Sequence, residues 1–140
     1  MSESEAPAVE STGDVGTQAV KFLIVGAFAA GAHYAIYVAL VLLASAGEVP
    51  ATGAGFVVGT VISYTFNSRF TFQAEQSAET FVRFWAVTLV GGLLNAVVVW
   101  LLVRIGVHFT ISGVVAIVIA AAFNFTSHRL WTFRERHELP

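Results

Sequence analysis

The sequence predicts an all-α integral membrane protein. Four transmembrane helices form a tandem two-helix parallel repeat, with both termini cytoplasmic. Three observations predict it. Hydrophobic residues make up 56% of the 140 and charged residues only 11%, against about 25% charged in a soluble domain, and mean hydropathy is +0.77. Four runs, residues 22–47, 49–68, 84–103 and 105–128, contain no Asp, Glu, Lys or Arg. Residues 63–72 recur 61 positions later as residues 124–133, so that Thr65 meets Thr126, Thr71 meets Thr132 and Phe72 meets Phe133.

Residues 1–18 are rich in Ser, Glu, Ala, Gly and Thr and have no apolar period, which predicts a disordered acidic tail. Glu3, Glu5, Glu10 and Asp14 lie in it and no cation precedes Lys21, so it is not a signal peptide and nucleic acid is not an expected partner. The membrane domain is expected over 19–137, with spans at about 22–46, 50–68, 84–103 and 107–128. Each is near the roughly 20 residues that cross a hydrocarbon core. The runs are continuous rather than alternating, and only helices or closed barrels satisfy their backbone in lipid, so they read as helices. Glu48 and Pro50 mark the first turn, and residues 104–109 the last. The middle connection carries Arg69, Glu75, Glu79 and Arg83, with Glu79 near the start of the third helix, where a carboxylate suits the helix dipole.

Six of the seven basic residues, Lys21, Arg69, Arg83, Arg129, Arg134 and Arg136, fall on one side of a four-span chain, and only Arg104 on the other. That bias puts the termini and the middle connection inside. The repeat also extends beyond its first motif: at a shift of 62, Lys21 and Phe22 meet Arg83 and Phe84, and His33 meets Asn95. Gly55, Gly59, Ser63 and Asn67 run along one face of the second helix, and Ala116, Ala120, Asn124 and His128 along the fourth. Two spans per half give both halves the same orientation, hence a parallel repeat about an axis normal to the membrane.

The Gly55, Gly59, Ser63 stripe is a surface for close helix packing, and Ala27, Gly31 and Ala35 offer a matching face on the first helix. His33 and Asn95 each lie twelve residues past a cation, roughly 18 Å deep and near the bilayer midplane. Either they bond to each other and glue the first and third helices, or they line a path for a polar headgroup, with Tyr34 and Tyr37 extending it. Asn67, Arg69, Asn124, His128 and Arg129 form a set at the cytoplasmic end. One reading is interfacial anchoring, with Phe70, Phe72, Trp131 and Phe133 as an aromatic belt. The other is a basic, amide-rich mouth that grips a lipid phosphate, for which the planar fork of Arg is suited.

Several classes are excluded. No span holds Asp or Glu, which argues against an ion-coupled antiporter. There is no cysteine, and no catalytic Ser/His/Asp set or paired acids can be assembled, so the chain does not read as an enzyme and no cofactor is expected. His33, His108, His128 and His137 are spread over both sides and the middle of the membrane, so no metal site is expected.

The motifs Lys21-Phe22-x-x-Val25-Gly26, Ser63-Tyr64-x-x-Asn67-Ser68-Arg69-Phe70-Thr71-Phe72, Arg83-Phe84 and Asn124-Phe125-x-x-x-Arg129-x-Trp131-Thr132-Phe133 resemble those of the GtrA-like family, small four-helix membrane proteins of cell-surface polysaccharide synthesis. The resemblance covers about residues 21–134 and departs at Ser63, where the second copy has Asn124. It implies membrane translocation of a polyprenyl-phosphate-linked sugar. The alternative is a non-transporting subunit that anchors or stabilises a polyprenyl-phosphate glycosyltransferase. The implied partners are that lipid, the surrounding membrane lipids and such an enzyme, and a homo-oligomer stays open.

Overall fold

The computed structural model describes residues 14–134, which are helices and connecting turns with no strand among them. Four helical segments are long and apolar enough to cross a membrane. Helix α1 is Val15–Leu43, α2 is Glu48–Phe66, α3 is Ala78–Arg104 and α4 is Phe109–Ser127. Both α2 and α4 continue into a π-turn, Asn67–Thr71 and His128–Thr132 respectively.

Several boundaries differ from expectation, each for a local reason. Helix α1 takes in the last residues of the expected tail, because Asp14 caps it: its carboxylate accepts from the Thr17 N–H at 3.2 Å and the Thr17 hydroxyl at 3.1 Å. A cap of this kind satisfies a backbone donor that would otherwise have no partner. The rest of that tail, 1–13, lies outside the described residues, as do Arg136 and His137. Helix α1 ends before residue 46 because Ser45 turns the chain with φ 51°. Helix α2 begins at Glu48 and tolerates Pro50, which sits in its first turn where no intrahelical donor is needed. Helix α3 starts at Ala78, not 84, through reciprocal capping: the Thr80 N–H donates to the Ser77 hydroxyl at 3.1 Å and the Ser77 N–H to the Thr80 hydroxyl at 2.9 Å. Glu79 lies in its first turn as expected. The second and fourth spans reach Thr71 and Thr132, beyond the expected 68 and 128, through the π-turns.

Helix α1 packs chiefly on α2, and α3 on α4, giving two hairpins. The glycine stripe is at the first contact. A Cβ at Gly55 would lie 2.6 Å from the carbonyl oxygen of His33, and one at Gly59 would lie 3.0 Å from that of Ala29. The partner face on α1 is not the expected one. Ala27, Gly31 and Ala35 are exposed, whereas Phe22, Ala29 and His33 turn inward. In the second hairpin the small residue sits on the other helix: Gly91 of α3 receives the Asn124 side chain of α4.

The hairpins meet mainly at the end that carries the π-turns. Tyr64 and Phe84 approach at 5.5 Å, Phe22 and Phe125 at 5.6 Å, and Phe72 and Phe133 stack at 4.9 Å. The Tyr64 hydroxyl is satisfied by Thr80 at 2.8 Å. Phe133 is buried and Phe72 half-buried, so these two are core rather than the expected interfacial belt. Phe70 and Trp131 are the exposed members.

Overpacking a tight contact costs about 1–3 kcal/mol. Gly59→Leu is therefore expected to lower the yield and melting temperature of the detergent-purified protein. Gly31→Leu, where an added Cβ meets nothing within 4 Å, should melt like wild type.

Candidate functional site

The polar residues at the aromatic end are built into the turns. Asn67, Ser68, Thr71, His128 and Thr132 are all buried. Each π-turn closes on itself, through Phe72 N–H to the Asn67 carbonyl and Phe133 N–H to the His128 carbonyl, both at 2.9 Å. A side-chain bond across four residues pins each one. The Thr71 hydroxyl donates to Asn67 Oδ1 at 2.8 Å, and His128 Nδ1 pairs with the Thr132 hydroxyl at 3.0 Å. Asn67 also donates to the Ser63 hydroxyl at 3.1 Å. The His128 ring lies flat on Phe84, with centroids 4.1 Å apart and planes 8° apart. Asn67 and His128 thus use their polar atoms to shape the chain.

The other expected site residues are dispersed. Arg69 is exposed on the first π-turn. Arg129 is half-buried and donates to the Gln18 side chain of α1. Asn124 lies one turn deeper than His128, with Oδ1 buried against Gly91 and unpaired. His33 and Asn95 are half-buried in different hairpins and no hydrogen bond joins them, so of the two readings open for the pair, the bond between α1 and α3 does not form. His33 instead packs on Gly55.

His33 stands where two laterally open cavities meet. One, of about 110 Å³, lies between α1, α2 and α3, with Thr60, Ser63 and Thr88 on its wall. The other, of about 310 Å³, runs toward the far end past Tyr34, Tyr37 and Thr52. Asn95 lines neither. Sequence reading missed Thr60, Thr88 and Thr52, because isolated threonines in an apolar run carry no spacing signal.

It also missed Arg83. This residue pairs with Glu79, donates to the Trp131 carbonyl at 3.2 Å and lies over the Trp131 ring at 5.3 Å. It therefore ties the start of α3 to the second π-turn. The spacing of Glu79 and Arg83, four residues apart on a helix, was a signal that could have found it.

The profile of the GtrA/DPMS transmembrane domain matches residues 21–133, from Lys21 through both π-turns to Phe133. The chain belongs to that family. The GtrA/DPMS match agrees with the resemblance in the sequence motifs and covers all four spans. Membership makes this a multi-pass membrane protein and fits a role in lipid-linked sugar translocation or polysaccharide synthesis. The GtrA/DPMS domain is not a catalytic family.

Removing one partner of a buried hydrogen bond costs about 1–3 kcal/mol. Thr71→Val and Thr132→Val, which keep shape and lose the hydroxyl, are each expected to lower the melting temperature in detergent. Thr71→Ser and Thr132→Ser should retain most of it.

Proposed function

We propose that the protein moves a polyprenyl-phosphate-linked sugar across the plasma membrane, with its basic end in the cytoplasm and its hairpins acting as parallel repeats. The groove at His33, where a few polar side chains stand on an otherwise apolar wall, carries this reading. Sugar hydroxyls in hydrocarbon cost several kcal/mol each unless they find partners. His33, Thr60, Ser63 and Thr88 offer such partners at mid-depth, and Tyr37 and Thr52 continue them toward the other face. The groove opens sideways, so the headgroup can travel in it while the prenyl tail stays in lipid. Arg69 and Arg129 are the phosphate-side contacts of the path in this scheme, on turns held by Asn67 and His128, and Asn124 lies one turn deeper.

The charge distribution supports the orientation. Lys21, Arg69, Arg83, Arg129 and Arg134 sit at the π-turn end and Arg104 at the other. Glu48→Cys should label with an impermeant thiol reagent from outside intact cells, and Glu75→Cys only after lysis. The reverse pattern overturns the orientation.

The transport test is flipping of a labelled polyprenyl phosphoryl sugar in liposomes that contain only this protein. His33→Leu should slow it by about an order of magnitude, equivalent to losing roughly one or two hydrogen bonds. Asn95→Leu, outside the groove, should leave it near wild type. A second reading, a non-transporting subunit that steadies a polyprenyl-phosphate glycosyltransferase, is favoured by the internal pairing of Asn67 and His128. It predicts no flipping by the protein alone and co-purification with such an enzyme.

A further inference from the structure

A separate cleft of about 460 Å³ opens at the basic end, between the α2–α3 connection, the first turns of α3 and the end of the second π-turn. That volume lies within the range of pockets that hold small ligands. Arg83 and Arg134 supply cations on its wall, Glu75 and Gln73 supply acceptors and an amide, and Phe133 lies against it. Arg83 is fixed in place: Glu79 and the Trp131 carbonyl engage two of its N–H groups, and the guanidinium fork has five. A fixed fork with donors to spare suits a phosphate oxygen. Carboxylate and amide groups beside it suit sugar hydroxyls. Depth selects the source of the ligand. Arg83 and Glu79 stand at the start of the third candidate span and Thr132 ends the fourth, so the cleft lies at the span ends, where a lipid headgroup is the nearer source.

We propose that this cleft binds the phosphosugar headgroup of a polyprenyl lipid, with Arg83 on the phosphate and Glu75 on the sugar hydroxyls. The proposal rests on the lipid-linked sugar reading above and adds a docking place that holds the headgroup before its phosphate reaches Arg69 and Arg129. Arg129, engaged with Gln18, lies outside this cleft, as does Arg69.

The test measures binding to the purified full chain in nanodiscs. Three ligands are compared: a polyprenyl phosphoryl hexose, the same polyprenyl phosphate without sugar, and soluble hexose 1-phosphate. Arg83→Lys should weaken both lipids about tenfold, as expected for losing one charge-assisted hydrogen bond. Glu75→Gln should weaken only the glycosylated lipid, by about threefold, as expected for a single weaker bond. Glu75 is exposed, so Glu75→Gln decides the matter if Arg83→Lys does not fold. If folded Glu75→Gln and Arg83→Lys bind every ligand as wild type does, the cleft is not the site. If soluble hexose phosphate binds as tightly as the lipid, the ligand is a free sugar phosphate and the lipid assignment fails. A wild type that binds as expected yet does not flip lipid removes the translocase reading and leaves the cleft. A wild type that flips, with both variants binding normally, does the reverse.

Discussion

The stacked rings at one end of the molecule hold the rest together. Inside lipid, apolar surfaces gain nothing by leaving their solvent, so helices associate through close packing and polar contacts. The α1/α2 and α3/α4 hairpins each achieve this through a glycine that admits a neighbour's backbone or side chain. Between the hairpins most ring contacts, among them Tyr64 with Phe84, Phe72 with Phe133, and Phe22 with Phe125, lie at the basic end. Aromatic pairs are worth about 0.5–1.5 kcal/mol each beyond the area they bury. The π-turns make this cluster possible. By widening the helix they bring Phe72 and Phe133 over Phe22 and Phe84, and the bonds from Thr71 to Asn67 and between Thr132 and His128 hold that geometry. The buried polar residues therefore serve the packing first.

Joining the hairpins at one end has a mechanical consequence. Toward the other end, large side chains such as Leu43, Ile105 and Phe109 are exposed, and each hairpin is closed by its own turn. The link through Phe56 and Trp85, edge to face at 5.6 Å, is the deepest ring contact between the hairpins among the described residues. A joint concentrated at the π-turn end, with fewer contacts between the hairpins beyond it, suits the proposed passage of a polar headgroup.

Much of this was legible in the sequence. Charge-free runs gave the four spans, because burial of charge in lipid is too costly to occur by accident. Gly55 and Gly59 showed the α2 contact, because small residues four apart share a helix face. The partner face of α1 was not legible: in a helix that is apolar all round, Ala27, Gly31 and Ala35 look as suitable as Phe22, Ala29 and His33. Helix ends were misjudged where a cap stood outside the apolar run, at Asp14 and Ser77. The π-turns escaped because their signature, a polar residue four before a threonine, reads equally well as an ordinary helix end. Of the expected site residues, Asn67 and His128 looked available because pairing within their own turns leaves no mark on composition.

The two halves differ in where their small and polar residues sit. At matched positions the first hairpin has His33 and Ser63, the second Asn95 and Asn124. In the first, the glycines lie on α2 and His33 rests on Gly55, leaving Ser63 and Thr60 on the wall of an open groove. In the second, the glycine lies on α3 and Asn124 fills the space over Gly91. The cavity that remains there, about 460 Å³, is lined mostly by apolar residues such as Val87, Val90, Phe123 and Leu130. An exchange of small and polar residues between helices thus leaves His33, Thr60 and Ser63 at an open groove in one hairpin and packs Asn124 away in the other. In the proposed function, the polar side chains of the first groove serve the sugar and the apolar wall of the second cavity serves the prenyl chain.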